Sequence, residues 1–391
     1  MQPWRVLRTR RCRSARSSGV QHKRNSPRAQ PVQPLKEVKM LDVVVVGAGQ
    51  AGLSAAYYLA RQGLRPETDF VVLDANPAPG GAWLHRWDSL TLGTAHAVHG
   101  LPGMKLPASD PAEPASAVVS GYYGSYEKEF SLPVRRPVKV RAVRPAPTHD
   151  GGLLVEADTG TFATRLVINA TGTWDKPYWP HYPGVGSFAG RQLHTHDFRS
   201  VAEFAGLRVL VVGGGTSAVQ FLLQLAQAGV DTAWSTRRPP EFKTGEFNQD
   251  WGRDIERRVN ERTTAGLPPL SVVGVTGIPL THQYQNGIAA GTLLSRGPLQ
   301  RLTTDGAVFK DGTTFIADAV LWATGFRAAL DHLAPLKIRE PGGGIVMDGV
   351  KVAREPRLIM VGYGASASTL GANRAGRAAA LAALDKLSVP A

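Results

Sequence analysis

Leu41-Asp-Val-Val-Val-Val46-Gly47-Ala-Gly49-Gln-Ala-Gly52 and Arg208-Val-Leu-Val-Val212-Gly213-Gly-Gly215-Thr-Ser-Ala218 decide how this chain folds. Each is a β-branched run, then a glycine cluster, then an apolar helical run. Such a run reads as a buried parallel strand. In the first motif Gly47 makes the tight strand-to-helix turn, Gly49 lets a pyrophosphate approach the backbone, and Gly52 lets helix and strand pack closely. Gln50 and Ala51 open a helix whose free N–H groups and positive dipole end suit phosphate. That helix runs to Arg61, with Gly63 as its stop. The strand Phe70–Leu73 follows and ends in Asp74, 22 residues beyond Gly52. A carboxylate there accepts hydrogen bonds from ribose hydroxyls.

The same grammar begins again 166 residues later, from position 47 to position 213. Strand Arg208–Val212 leads into Gly213-x-Gly215-Thr216-Ser217-Ala218, an apolar helix to Ala228, Gly229, and strand Asp231–Trp234. The repeat implies two nucleotide-binding units. The second unit has no acid after its second strand; it has Ser235, Thr236, Arg237 and Arg238. Hydroxyls and arginines bind a 2′-phosphate that a carboxylate would repel, so NADPH is expected over NADH. The alternative is a solvated surface pair of arginines. One site that keeps a ribose and one that takes a 2′-phosphate imply two dinucleotides, FAD and NADPH, with hydride passing to the flavin.

The remaining pattern fits an α/β protein with two Rossmann-like dinucleotide-binding domains, the NADPH domain inserted in the FAD domain. The expected boundaries are 40–172 and 320–391 for FAD and 173–319 for NADPH. Residues 76–131 read as loop, and Val134–Val143, Leu153–Ala157 and Arg165–Asn169 as strands. The stretch 241–270 is polar with helical character. Ala319–Trp322 and Leu358–Val361 are further buried strands, the latter before a glycine turn and a C-terminal helix Asn373–Leu387.

Composition sets outer bounds. The 391 residues are 43% hydrophobic and 19% charged, which excludes disorder of the whole chain. No apolar run is long enough to span a membrane. A single cysteine, Cys12, excludes an internal disulfide, a paired-cysteine redox centre and a multi-cysteine metal site. The net charge of +14 comes largely from the first 40 residues, which hold 11 Lys and Arg and one acid, Glu37. Residues 1–39 read as a disordered basic tail. It is an organellar presequence, a solvated basic arm for nucleic acid or an anionic membrane, or an upstream stretch before a start at Met40. The rest has no basic stripe interleaved with aromatics, so nucleic acid is not expected there.

With these motifs in place the chain resembles the class B flavin-containing monooxygenases, in the short bacterial branch that is also similar to the YUCCA enzymes. Gly80-Gly81-x-Trp83 resembles that family's flavin-side loop, followed by Ser89-Leu90-x-Leu92. Phe188-x-Gly190-x-x-x-His194-x-x-x-Phe198 matches its signature. Ala170-Thr171-Gly172 and Ala323-Thr324-Gly325 resemble the crossings between its two domains. The likeness covers most of residues 41–380. Phe198, where Baeyer–Villiger enzymes have Trp, favours the N/S-oxygenating or YUCCA-like side. Val138, Gly362, Gly364 and Leu370 complete the residues expected against the cofactors. The turn at 362–371 is expected to aim a helix N-terminus at the flavin.

The resemblance implies a cytoplasmic, FAD-dependent, NADPH-consuming monooxygenase. It would form a C4a-hydroperoxyflavin and oxygenate a small organic nucleophile or carbonyl compound with molecular oxygen. Two other readings stay open: an NADPH-dependent reductase or oxidase serving a quinone, a partner protein or oxygen, and a redox sensor without turnover. Substrate and oligomeric state are open. Among side chains, His85 and His96 in the flavin-side loop are candidates to move a proton, with an ordinary loop role as the alternative. His194 is either catalytic or a hinge element. His194-x-His196 has no second ligand cluster, so no metal is expected. Trp83 and Trp87 read as packing. Arg86 and Asp88 are either flavin-edge contacts or a surface pair.

Overall fold

The computed structural model describes residues 39–95, 98–147, 151–244, 249–270, 277–367 and 369–388. Residues 1–38 of the basic tail, Cys12 among them, and His96 lie outside them. The valine run Leu41–Val46 (β1) is buried because it runs through the middle of a sheet. It pairs in parallel with Phe70–Leu73 (β2) on one side and Gly160–Asn169 (β6) on the other. Val134–Arg135 (β3) extends the sheet beyond β2, and Leu358–Met360 extends it beyond β6, both in parallel. Val140–Pro145 (β4) and Leu153–Ala157 (β5) join antiparallel to one another, and β5 to β6. The expected strand 134–143 is therefore two strands, interrupted at Pro137, which lacks a ladder N–H.

The helix Gln50–Arg61 (α1) lies against the C-terminal helix Thr369–Ser388. Small residues permit the approach: Ser54 Oγ donates to the Asn373 carbonyl at 3.0 Å, and a Cβ on Gly376 would lie 2.6 Å from Ser54. Ala51, Ala55 and Ala56 share one core cluster with Ala375, Ala379 and Ala383.

Residues 76–131 are not all loop, contrary to expectation. Ala115–Glu129 is a helix (α2). Its buried face is Val119, Tyr122, Tyr123 and Tyr126, and Gly121 and Gly124 disguise its apolar period. The tyrosines bury rings and still satisfy their hydroxyls. Tyr122 donates to the Met104 carbonyl at 2.6 Å and Tyr126 to the Pro102 carbonyl at 2.7 Å, tying down the loop above.

The second sheet is all parallel, in the order Arg191–His194 (β7), Ala319–Trp322, Arg208–Val212 (β8), Asp231–Ser235 (β9). The helix Thr216–Gln227 (α3) buries Ala218, Val219, Phe221, Leu222 and Leu225 within this sheet's core. The strand 319–322 pairs wholly in this sheet, so the expected boundary at 319/320 falls inside the second sheet's territory and the return crossing lies at Ala323.

Two segments join the sheets, and they are hydrogen-bonded to each other. Tyr178 N–H donates to the Gly325 carbonyl at 2.9 Å, Arg327 N–H to Lys176 at 2.8 Å and Ala329 N–H to Gly172 at 2.9 Å. Lys176 and Asp331 form an ion pair across the ribbon. The Arg327 guanidinium lies over the Tyr178 ring at 4.3 Å. Among the described residues no helix is long and apolar enough to cross a membrane.

Candidate cofactor sites and the central cleft

At the carboxyl end of β1 the backbone of Gly47 turns with φ +101°, and a Cβ there would lie 2.6 Å from the Ala170 carbonyl oxygen. Only glycine fits that crossing of β1 and β6. One turn on, a Cβ at Gly52 would meet the Gly47 carbonyl at 1.9 Å, so the helix starts close against the strand. At Gly49, by contrast, a Cβ would find nothing nearer than Gly81 Cα at 4.0 Å. The N-terminus of α1 has no side-chain cap and no acid in its first turn. Its orphan N–H groups therefore stand ready for an anion.

A cleft of about 560 Å³ runs along this turn. The structure brings Gly47, Gly49, Gln50, Ala51, Asp74, Gly81, Trp83, Val138, Thr171, Gly172 and Gly362 into its wall, as well as His85. Gly52 sits behind the turn. Gly364 lies outside the wall, where a Cβ would face the Thr263 side chain at 3.2 Å. Leu370 belongs to the first turn of the C-terminal helix.

Asp74 is in the wall, but it is already engaged. Arg136 Nε donates to it at 2.7 Å, with both side chains nearly sealed from solvent at 5% and 11% exposure. The same guanidinium grips Glu127 through two bonds of 2.6 and 2.7 Å. Asn76 Nδ2 donates to Asp74 at 3.3 Å, and His85 Nε2 donates to Asn76 Oδ1 at 2.7 Å. Burial lowers the His85 pKa. His85 is thus the outer end of a hydrogen-bonded chain that terminates at Asp74.

The second glycine turn repeats the first. A Cβ on Gly213 would strike the Ala323 carbonyl at 2.1 Å, whereas Gly215 opens on free space. The N-terminus of α3 also lacks a side-chain cap and an acid. Thr216 Oγ1, in its first turn, is buried without a hydrogen-bond partner. Ser217 and Ala218 follow on the same turn. Ser235 and Thr236, expected to meet a 2′-phosphate, are buried and turned elsewhere. Ser235 Oγ donates to the Gly297 carbonyl at 2.9 Å, and Thr236 Oγ1 lies 2.7 Å from Ser295 Oγ. Arg237 and Arg238 are exposed at the strand end. Thr324 and Gly325 are in the ribbon, with Thr324 Oγ1 donating to the Tyr178 carbonyl at 2.5 Å.

His194, for which the sequence left a catalytic role and a hinge role open, is held between backbone groups. It is fully buried, with both ring nitrogens engaged by backbone. Burial pushes its pKa down to about 4. His332 was not anticipated from the sequence. It lines the cleft, donates from Nε2 to Asn169 Oδ1 at 2.7 Å, and burial pushes its pKa to about 4. Trp174 was also missed. It is buried two residues past the Ala-Thr-Gly crossing and stacks with His85, His196 and Phe326. Arg86 points into the cleft wall, and Asp88 is exposed. Among the described residues no group of three or more His, Cys, Asp or Glu is placed to hold a metal ion.

The family model for pyridine nucleotide-disulphide oxidoreductases matches residues 44–267. The chain is 28% identical over 298 residues to the uncharacterized oxidoreductase CzcO of Bacillus subtilis (strain 168), covering 74% of this chain and 83% of that one. It is 26% identical to the indole-3-pyruvate monooxygenase YUCCA1 of Oryza sativa subsp. japonica, covering 82% of this chain and 84% of that one. Among solved structures, a flavin-containing monooxygenase from Stenotrophomonas maltophilia is 36% identical with a TM-score of 0.74. That match covers 90% of this chain and all of the other.

Proposed function

Because the chain belongs to the flavin monooxygenases of the pyridine nucleotide-disulphide oxidoreductase family, we propose that FAD lies along the first glycine turn and NADPH along the second, and that the enzyme oxygenates a small organic nucleophile or carbonyl compound. It is an oxidoreductase whose cofactors are FAD and NADPH. The observation that carries the placement is the duplicated turn. Twice a glycine that only glycine can be, Gly47 and Gly213, sits at a parallel-strand crossing beside an uncapped helix N-terminus. Ligands of open α/β sheets bind at such crossings.

The residues present fit both groups. Gly49 and Gly215 leave backbone free for close approach, and the partnerless Thr216 Oγ1 supplies a donor for a phosphate oxygen. When bound, FAD takes hydride from NADPH and activates molecular oxygen. The protein's part is to bind, orient and shield. Asp74, held by Arg136, presents its remaining lone pairs to ribose hydroxyls. Arg237 and Arg238 take the 2′-phosphate. Trp83 and Trp174 wall the cleft against water, which strengthens the electrostatic contacts inside it. Asn76 orients the His85 ring at the cleft, and His194 keeps its proton at Nε2. With a single cysteine in the sequence, the family's disulfide chemistry has no internal cysteine pair to act through.

The test is rapid mixing of NADPH-reduced enzyme with oxygenated buffer. Delayed return of the oxidised flavin spectrum, little hydrogen peroxide, and transfer of labelled oxygen to an organic product are expected. Immediate return with stoichiometric peroxide would establish the reductase or oxidase reading instead.

A further inference from the structure

The two glycine turns are built differently. In the first, a Cβ on Gly52 would lie 1.9 Å from the Gly47 carbonyl oxygen. No methyl group approaches an oxygen so closely, so that carbonyl lies flat against the helix start and position 52 must be glycine. The equivalent position of the second turn is Ala218, fully buried, whose Cβ is real. The Gly213 carbonyl therefore cannot lie where the Gly47 carbonyl lies. The backbone differs accordingly, with φ +101° at Gly47 and +143° at Gly213.

An indole holds the second carbonyl away from the helix. Trp234 Nε1 donates to the Gly213 carbonyl at 2.7 Å. Trp234 stands opposite Val211 in the β8–β9 ladder, as Val72 stands opposite Val45 in the β1–β2 ladder. Both side chains pack on the helix that follows the turn: Val72 clusters with Leu53 and Ala55, Trp234 with Ala218, Val219 and Leu222. One position thus carries an apolar branch in the first unit and a hydrogen-bond donor in the second. Trp234 is 1% exposed, so water does not compete for the bond. The bond also aims a donor. A peptide unit is planar and trans, so its N–H points opposite to its C=O. With the Gly213 carbonyl turned in toward the buried indole, the N–H of exposed Gly214 turns out, to the side where α3 opens. Accepting the indole proton polarises that same amide and strengthens it as a donor.

We propose that Trp234 is the positioning residue of the second turn: its grip on the Gly213 carbonyl presents the Gly214 N–H to the dinucleotide pyrophosphate and makes room for alanine at position 218. This role presupposes the placement of NADPH along that turn, the reading on which it rests. Two consequences follow from the geometry. Positions 234 and 218 depend on one another. The pyrophosphate is common to NADPH and NADH, so Trp234 strengthens both and chooses neither, unlike Arg237 and Arg238.

The test is calorimetric titration of the FAD-loaded enzyme with NADP⁺ and with NAD⁺. Trp234→Phe keeps a ring and removes the N–H. It is expected to raise both dissociation constants by the same factor, about three- to tenfold, the worth of one hydrogen bond. The bound flavin should keep its absorbance, because the first turn does not use this residue. Adding Ala218→Gly to Trp234→Phe should bring both constants back to within about twofold of the unmodified enzyme, since the freed carbonyl can then lie against the helix as in the first turn. A lowered Tm with unchanged nucleotide affinity in Trp234→Phe would show an indole that only fills the core, and overturns the proposal. So does a loss confined to NADP⁺, or one that Ala218→Gly does not repair. If Trp234→Phe yields no folded protein, the double variant decides. FAD-loaded double variant that binds NADP⁺ supports the coupling, and a second failure to fold overturns it. Gly215→Val tests the placement separately, because a Cβ there meets open space in the protein. Undiminished NADP⁺ affinity in that variant would refute the placement of the nucleotide on this turn instead.

Discussion

His194 Nε2 lies 3.0 Å from the carbonyl oxygen of Gly325, while its Nδ1 accepts the backbone N–H of His196 at 3.0 Å. An acceptor at Nδ1 and a carbonyl at Nε2 admit one neutral tautomer, with the proton on Nε2. The ring pins the end of β7 to the crossing out of the neighbouring strand, and it has no free nitrogen for catalysis.

This has a pH signature. The unfolded ring titrates near 6.5, but burial holds the folded ring near 4. Between those values the unfolded chain binds a proton that the fold refuses. Stability is therefore complete above about pH 6.5 and falls as pH drops toward 4, by at most about 3 kcal/mol for this ring. His332 adds a loss of the same sign. Denaturant unfolding from pH 7.5 to 4.5 should show the slope. His194→Asn should flatten it while lowering stability at pH 7 by about 1–3 kcal/mol. An unchanged slope in the variant would show that the ring titrates normally.

Two neighbouring glycines should fail in different ways. Gly47→Ala drives a Cβ into the Ala170 carbonyl at positive φ, so it should lower stability by at least about 2 kcal/mol even without cofactor. Gly49→Val has clearance in the protein itself, so it should keep its circular dichroism spectrum and purify colourless. A yellow Gly49→Val protein would refute the placement of FAD on this turn.

Cofactor choice should rest on the two arginines alone. Arg237→Ala with Arg238→Ala should raise the KM for NADPH about tenfold or more and spare NADH. Thr236→Ala should cost stability through its lost contact with Ser295 and leave the NADPH-to-NADH ratio within about twofold. Steady-state NAD(P)H oxidation measures both. Equal effects of the double change on the two nucleotides would mean that the arginines do not read the 2′-phosphate.

Arg136→Gln should be among the most damaging single changes in the first half. It leaves Asp74 and Glu127 buried without their shared cation, which costs about 3–5 kcal/mol. Thermal unfolding checks this. A variant that melts like the unmodified protein would show that water reaches the triad.

The glycine turns, their helices and their strands were legible because each step depends on neighbours within a few residues. The helix Ala115–Glu129 was not, since its buried face is tyrosine and its spacing is broken by Gly121 and Gly124. Site residues split along the same line. Gly47, Gly49 and Asp74 could be placed from local grammar. That Asp74 is shared with Arg136, 62 residues away, could not. Nor could the turn of Ser235 and Thr236 toward Gly297 and Ser295, which is set by a loop some 60 residues downstream. The ring cluster about Arg86 joins positions 83, 86, 87 and 174, a grouping that exists only once the chain crosses between the sheets.

The paired segments between the two sheets also determine how the molecule can deform. A single tether is a swivel, about which an attached body can spin. Two tethers laced through Tyr178–Gly325, Arg327–Lys176 and Ala329–Gly172 act as a leaf spring with one soft bending direction. The half that carries the second glycine turn is thereby kept from spinning, and Trp87 and Leu90, packed in its core, with the Ser89–Gln224 hydrogen bond, hold it against the loop that follows the first turn.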